Sequence, residues 1–102
     1  MSKPVTSLRN CFAQTLKRLR KVKNLSQEDF SLVSSRTYIS VLERSQNSPT
    51  IEKLDELADV LGVHPAALLL TVYARMDAAQ DQEVIDQVAA EAKNLLTLIS
   101  KP

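Results

Sequence analysis

A single glycine, Gly62, serves the whole chain, and the four prolines, Pro4, Pro49, Pro65 and Pro102, fall outside every stretch with a regular apolar repeat. Helices can therefore run uninterrupted between them. The repeats have the helical period. From 8 to 22, Phe12, Leu16 and Leu19 share one face while Lys17, Arg18 and Lys21 lie opposite. From 51 to 61, Ile51, Leu54, Leu57, Ala58 and Leu61 follow the i, i+3, i+4 pattern behind a Thr50 cap, and Gly62 supplies a left-handed stop. Pro65 suits the first position of the next helix, which is expected to bury some of Leu68, Leu69, Val72 and Met76. No stretch sustains the period-two alternation of a strand, and no internal repeat is present, so an all-α fold is predicted.

A chain of 102 residues holds one core and little more. The pattern divides it into an N-terminal arm over 1–7, a helical domain over 8–76 and a C-terminal helix within 77–102, with a break expected at 77–81 where the apolar repeat lapses. The last helix carries a stripe of Val84, Val88, Ala92, Leu95 and Ile99, flanked by Ile85, Ala89 and Leu96, which is too wide to leave in water. It either folds back over the body or pairs with its counterpart in a second subunit. The second reading is preferred, because five preceding helices already suffice to close a core, and it makes that stripe a dimer interface.

Charge is polarised along the chain. Residues 1–53 carry ten Lys or Arg against four Asp or Glu, and residues 54–102 carry three against eight. A basic front half points to a polyanionic partner, although an ordinary solvated helix face would also account for Lys17, Arg18, Arg20 and Lys21. Nothing calls for catalysis or a cofactor. Cys11 has no second cysteine, His64 before Pro65 reads as a capping loop residue, and no nucleophile–base pairing, metal-ligand spacing or phosphate-binding glycine loop occurs. No apolar run approaches the ~18 residues needed to span a bilayer, and the first residues lack the apolar core of a signal peptide. A cytoplasmic protein with no membrane partner is expected.

The informative stretch lies between the first and fourth helices. Ser26 is a good cap for a short helix over 26–33, with Glu28 and Asp29 in its first turn, and Ser34 or Ser35 caps another over 35–45 with Tyr38, Ile39 and Leu42 as its apolar positions. Two short capped helices joined by almost nothing are how a recognition helix is held out from a helical body. The run Leu25-Ser26-Gln27-Glu28-Asp29-Phe30, then Ser35-Arg36-Thr37-Tyr38-Ile39-Ser40 and Leu42-Glu43-Arg44, resembles the phage-repressor and Cro-like (XRE) helix-turn-helix family. The likeness continues through Ser48-Pro49-Thr50 and Leu61-Gly62-Val63-His64-Pro65, over about residues 8–72. The chain departs from the family pattern in being about two residues shorter between Gln27 and Ile39 and in lacking the turn glycine, which requires a short second helix or a tight turn.

The resemblance implies a lambda-repressor-like five-helix DNA-binding domain followed by the C-terminal amphipathic helix. It also implies roles. Arg36 and Thr37 open the recognition helix and, with Ser40 and Val41, face base edges; an arginine fork there matches O6 and N7 of guanine. Gln27, Ser35, Tyr38, Arg44, Asn47, Ser48 and Thr50 meet the DNA backbone or brace their neighbours, with Lys17 and Lys21 adding attraction to phosphate. Arg20 and Glu43 stand where the family has a structural salt bridge, and Ile39 and Leu42 face the core. The expected protein is a homodimeric regulator, in the simplest case a repressor, on a pseudo-palindromic site in double-stranded DNA. RNA polymerase or another protein is a possible further partner through Glu28 and Asp29. The rival reading is an antitoxin or adaptor that uses the same body as a scaffold.

Overall fold

The computed structural model describes residues 5–76 and 81–100, and every described element is helical. The order is α1 (Val5–Val22), a single 3₁₀ turn (Gln27–Phe30), α2 (Arg36–Glu43), α3 (Ile51–Leu61), α4 (Pro65–Met76) and α5 (Asp81–Ser100). The expected all-α domain is found, with one change: a single turn stands where a helix over 26–33 was predicted. The helix α1 also starts at Val5, three residues before its apolar repeat. The expected break at 77–81 lies almost wholly outside the described residues.

The core gathers Phe12 and Leu16 of α1, Phe30 of the 3₁₀ turn, Ile39 and Leu42 of α2, Leu57, Ala58 and Leu61 of α3, and Leu68 and Val72 of α4. Leu19, Leu54 and Met76 pack against it from its edge. Ile51, counted with the apolar stripe of α3, is 83% exposed. It sits in the first turn, where α3 overhangs the core, at the margin of the stripe centred on Leu57 and Leu61.

Local chemistry sets the element ends. Thr50 Oγ1 accepts from the Lys53 N–H at 3.1 Å and caps α3, while Gly62 at φ 74° takes the left-handed turn that ends it. His64 Nδ1 accepts from the Ala66 N–H at 2.9 Å, so it caps the start of α4. Asn24 provides the left-handed residue after α1 at φ 58°, a conformation asparagine tolerates. Cys11 is half-buried, and its thiol donates to the Val72 carbonyl, tying α1 to α4.

α5 leaves this body. Val84 and Ile85 are half-buried where it meets α4, and every residue from 86 to 100 is exposed. The apolar stripe therefore does not fold back over its own domain. Among the described residues no single helix is long and apolar enough to cross a membrane.

Candidate nucleic-acid interface

The shortened turn between the two helix-turn-helix elements is held by tertiary contacts. Asp29 accepts from the Ser26 backbone N–H at 2.6 Å and from its hydroxyl at 3.1 Å, closing the turn at its start. Phe30, wholly buried, anchors its end, and the Phe30 carbonyl accepts from both Val33 and Ser34 N–H. From α3, the Lys53 ammonium donates to the Val33 carbonyl and lies 5.8 Å from the centre of the Tyr38 ring. No residue from 31 to 35 has a positive φ, so this turn needs no glycine, and these contacts deliver the chain to Ser35. Ser35 Oγ accepts from the Tyr38 N–H at 3.0 Å, so α2 starts at a fixed place.

The inward side of α2 is locked to α1. Arg20 Nε meets Glu43 Oε2 at 2.6 Å, Nη2 meets Oε1 at 2.9 Å, and Nη1 donates to the Leu25 carbonyl at 2.9 Å. Gln27 Nε2 completes the set on Glu43 Oε1 at 3.1 Å. The side chains of Arg20 and Glu43 are 11% and 3% exposed, and hydrogen bonding to Glu43 outweighs desolvation to hold the Arg20 guanidinium above its usual pKa. Gln27, half-buried, thus braces the bridge from the first turn.

The outward side presents Arg36, Thr37, Ser40 and Arg44, which the helical period places on one strip. Arg36 and Thr37 are exposed, and Ser40 and Val41 are half-buried. Arg36 Nη1 lies 3.6 Å from Glu28 Oε1, with both side chains about two-thirds exposed, so the pair is open to exchange. Arg44 folds its Nε onto the Ser40 carbonyl at 3.2 Å. Tyr38, half-buried, lies against the core.

The loop after α2 is ordered by α1. Ser45, at φ 62°, donates to Asn10 Oδ1, and Arg9 Nε donates to Ser48 Oγ at 3.3 Å. Asn47 Oδ1 takes the Ser48 N–H at 2.9 Å. Asn47, Ser48 and Thr50 are all exposed at the amino end of α3. Arg9 and Asn10 were not singled out by the sequence; their roles depend on which loop lies beside α1, and no local pattern reports that. Lys17 and Lys21 are exposed on another strip of α1, beside Arg75 of α4, and are not gathered with the loop residues.

Of the tail residues, Val84 is half-buried against the body. Val88, Leu95 and Ile99 are 42%, 54% and 78% exposed, and Ala92 is exposed with them.

Comparison with known proteins places this geometry. A helix-turn-helix family model matches residues 16–68. An uncharacterized HTH-type transcriptional regulator of Sinorhizobium fredii is 39% identical over 64 residues, covering 61% of this chain and 83% of that protein. The control protein C.BamHI of Bacillus amyloliquefaciens is 35% identical over 66 residues, covering 62% and 82% respectively. Among solved structures, a hypothetical transcription factor NHTF from Neisseria aligns with TM-score 0.56 and 29% identity over 68% of this chain and 83% of its own. The clp gene regulator ClgR from Corynebacterium glutamicum aligns with TM-score 0.65 over 89% and 97%; at 24% identity this likeness speaks for the fold.

Proposed function

The chain belongs to the phage-repressor (XRE) type of helix-turn-helix family and is a DNA-binding transcriptional regulator, and we propose that it works in the cytoplasm as a homodimeric repressor on a pseudo-palindromic operator. The observation that carries this reading is the strip of exposed Arg36, Thr37 and Arg44 with half-buried Ser40, on a helix whose opposite side is fixed by a buried ion pair. A rigid mount of this kind lets a few side chains be presented to base edges in register.

In this proposal Arg36 exchanges Glu28 for O6 and N7 of a guanine, Val41 touches a thymine methyl, and Thr37 and Ser40 meet neighbouring base edges. The Ser35 hydroxyl proton, Arg44, Asn47, Ser48 and the amino end of α3 at Thr50 position the phosphate backbone, and the Gln27 amide assists from the first turn. Lys17 and Lys21 add to the basic field of the front half without sharing the recognition strip. Repression follows by occlusion of the promoter.

The dimer is assigned to α5. Its exposed Val88, Leu95, Leu96 and Ile99 form an apolar face that water would leave uncovered, and two-fold pairing would set two recognition helices about 34 Å apart, one turn of duplex. The test is deletion of residues 81–102. Sedimentation velocity should then show a folded monomer with weakened operator binding, and a dimer that survives the deletion would refute α5 as its main interface.

A further inference from the structure

The side of α1 away from α2 carries charge that lies outside the recognition strip and serves the operator only through its long-range field. Gln14, Lys17, Arg18 and Lys21 form one strip, about 120° round the helix from the Arg9, Leu16 and Arg20 strip that faces α2 and its loop. With Val22 and with Arg75 of α4 they line an open groove of about 560 Å³. A second lobe of about 240 Å³ shares Arg18, Val22 and Arg75 and adds Thr15, Leu19 and Thr71.

Four cations and no carboxylate line the main groove. Three other cations of the body have acidic partners, Arg20 with Glu43, Arg36 with Glu28 and Lys53 with Glu56, while Arg9 and Arg44 bond to neutral oxygens of Ser48 and Ser40. Among the described residues, Lys17, Arg18, Lys21 and Arg75 form no ion pair. One of them is nevertheless fixed. Arg75 Nη1 donates to Thr15 Oγ1 at 2.9 Å, and Thr15 is 1% exposed, so a buried hydroxyl of one helix aims a guanidinium of another at the groove. Like charges gathered this closely repel one another, and an anion between them would relieve the repulsion.

We propose that this groove binds a small molecule bearing a di- or triphosphate, which would give the regulator an effector site inside its DNA-binding domain. Three or four cations match the charge of such a group, and the arginine forks of Arg18 and Arg75 suit paired phosphate oxygens. The volume lies in the range of small-ligand sites. The adjoining lobe, with Leu19, Val22 and Thr71 in its lining, offers a nucleoside both an apolar wall and a hydrogen-bond acceptor, since Thr71 Oγ1 already donates to the Ala67 carbonyl at 2.8 Å.

The experiment is calorimetric titration of the full chain, free of DNA and at fixed ionic strength, with ATP, GTP, inorganic tripolyphosphate and monophosphate. Saturable binding of a triphosphate to one site per chain is expected, with little from monophosphate. It should weaken about ten-fold or more in Lys17→Gln/Lys21→Gln and in Arg18→Gln, and hold in Arg36→Ala. All these side chains are exposed, so unchanged melting temperatures will show that the variants fold. Tripolyphosphate binding as tightly as the nucleotides would place the whole recognition in the phosphates; tighter nucleotide binding would add the second lobe. Absence of saturable binding would overturn the proposal. So would binding lost in Arg36→Ala but kept in the groove variants, or groove variants that weaken only duplex binding, which would give these cations to DNA.

Discussion

The inner and outer sides of α2 each carry an arginine–carboxylate pair, and the two are built for opposite ends. Inside, Arg20 and Glu43 meet at 2.6 Å with side chains 11% and 3% exposed, and Gln27 and the Leu25 carbonyl complete their hydrogen bonds. Outside, Arg36 and Glu28 meet at 3.6 Å with side chains 69% and 66% exposed. A desolvated, fully bonded pair fixes geometry and is costly to break by halves, whereas a solvated pair contributes little and yields readily to another partner. The difference separates the mount of the recognition helix from its reading edge, although both use the same chemistry.

The largest effect that could break this contrast lies inside. Arg20→Ala leaves Glu43 buried without its counter-ion and should lower stability by ~3–5 kcal/mol, measured by urea denaturation. A loss under 1 kcal/mol would mean that the bridge is ornamental. Outside, Arg36→Ala should leave the denaturation midpoint nearly unchanged while weakening specific operator binding by about 1–3 kcal/mol, because one bidentate base contact is lost. A parallel fall in stability would place Arg36 with the mount. The smallest effect is expected at the hinge between the two sides: Ser35→Ala removes the cap of α2 and should cost about 1 kcal/mol of stability, also read by denaturation.

Features that rest on local chemistry were legible in the sequence. The caps at Ser35 and Thr50, the left-handed Gly62, Pro65 at the head of α4 and the alternation of Ile39 and Leu42 with Arg36, Thr37 and Ser40 all depend on residues within one or two turns. What long-range contacts decide was not. The predicted helix over 26–33 closes after one turn because burial of Phe30 and the Lys53 bond to the Val33 carbonyl fix its exit, and Lys53 is 20 residues away. Ile51 fits the apolar period, yet it overhangs the core. Arg75 reads as an isolated charge on an apolar helix until α4 lies beside α1 and Thr15 orients it. The apolar stripe of α5 was visible in the sequence, while its projection away from the body was not, since periodicity reports that a face exists and not where it goes.

The central claim, that α2 reads sequence through an edge led by Arg36, is tested most directly by selecting bound duplexes from a random library with the wild type and Arg36→Ala in parallel. The wild type should return two half-sites about 10 base pairs apart, each with a guanine preference that the variant loses while the spacing is kept. An unchanged guanine preference in the variant would contradict the account.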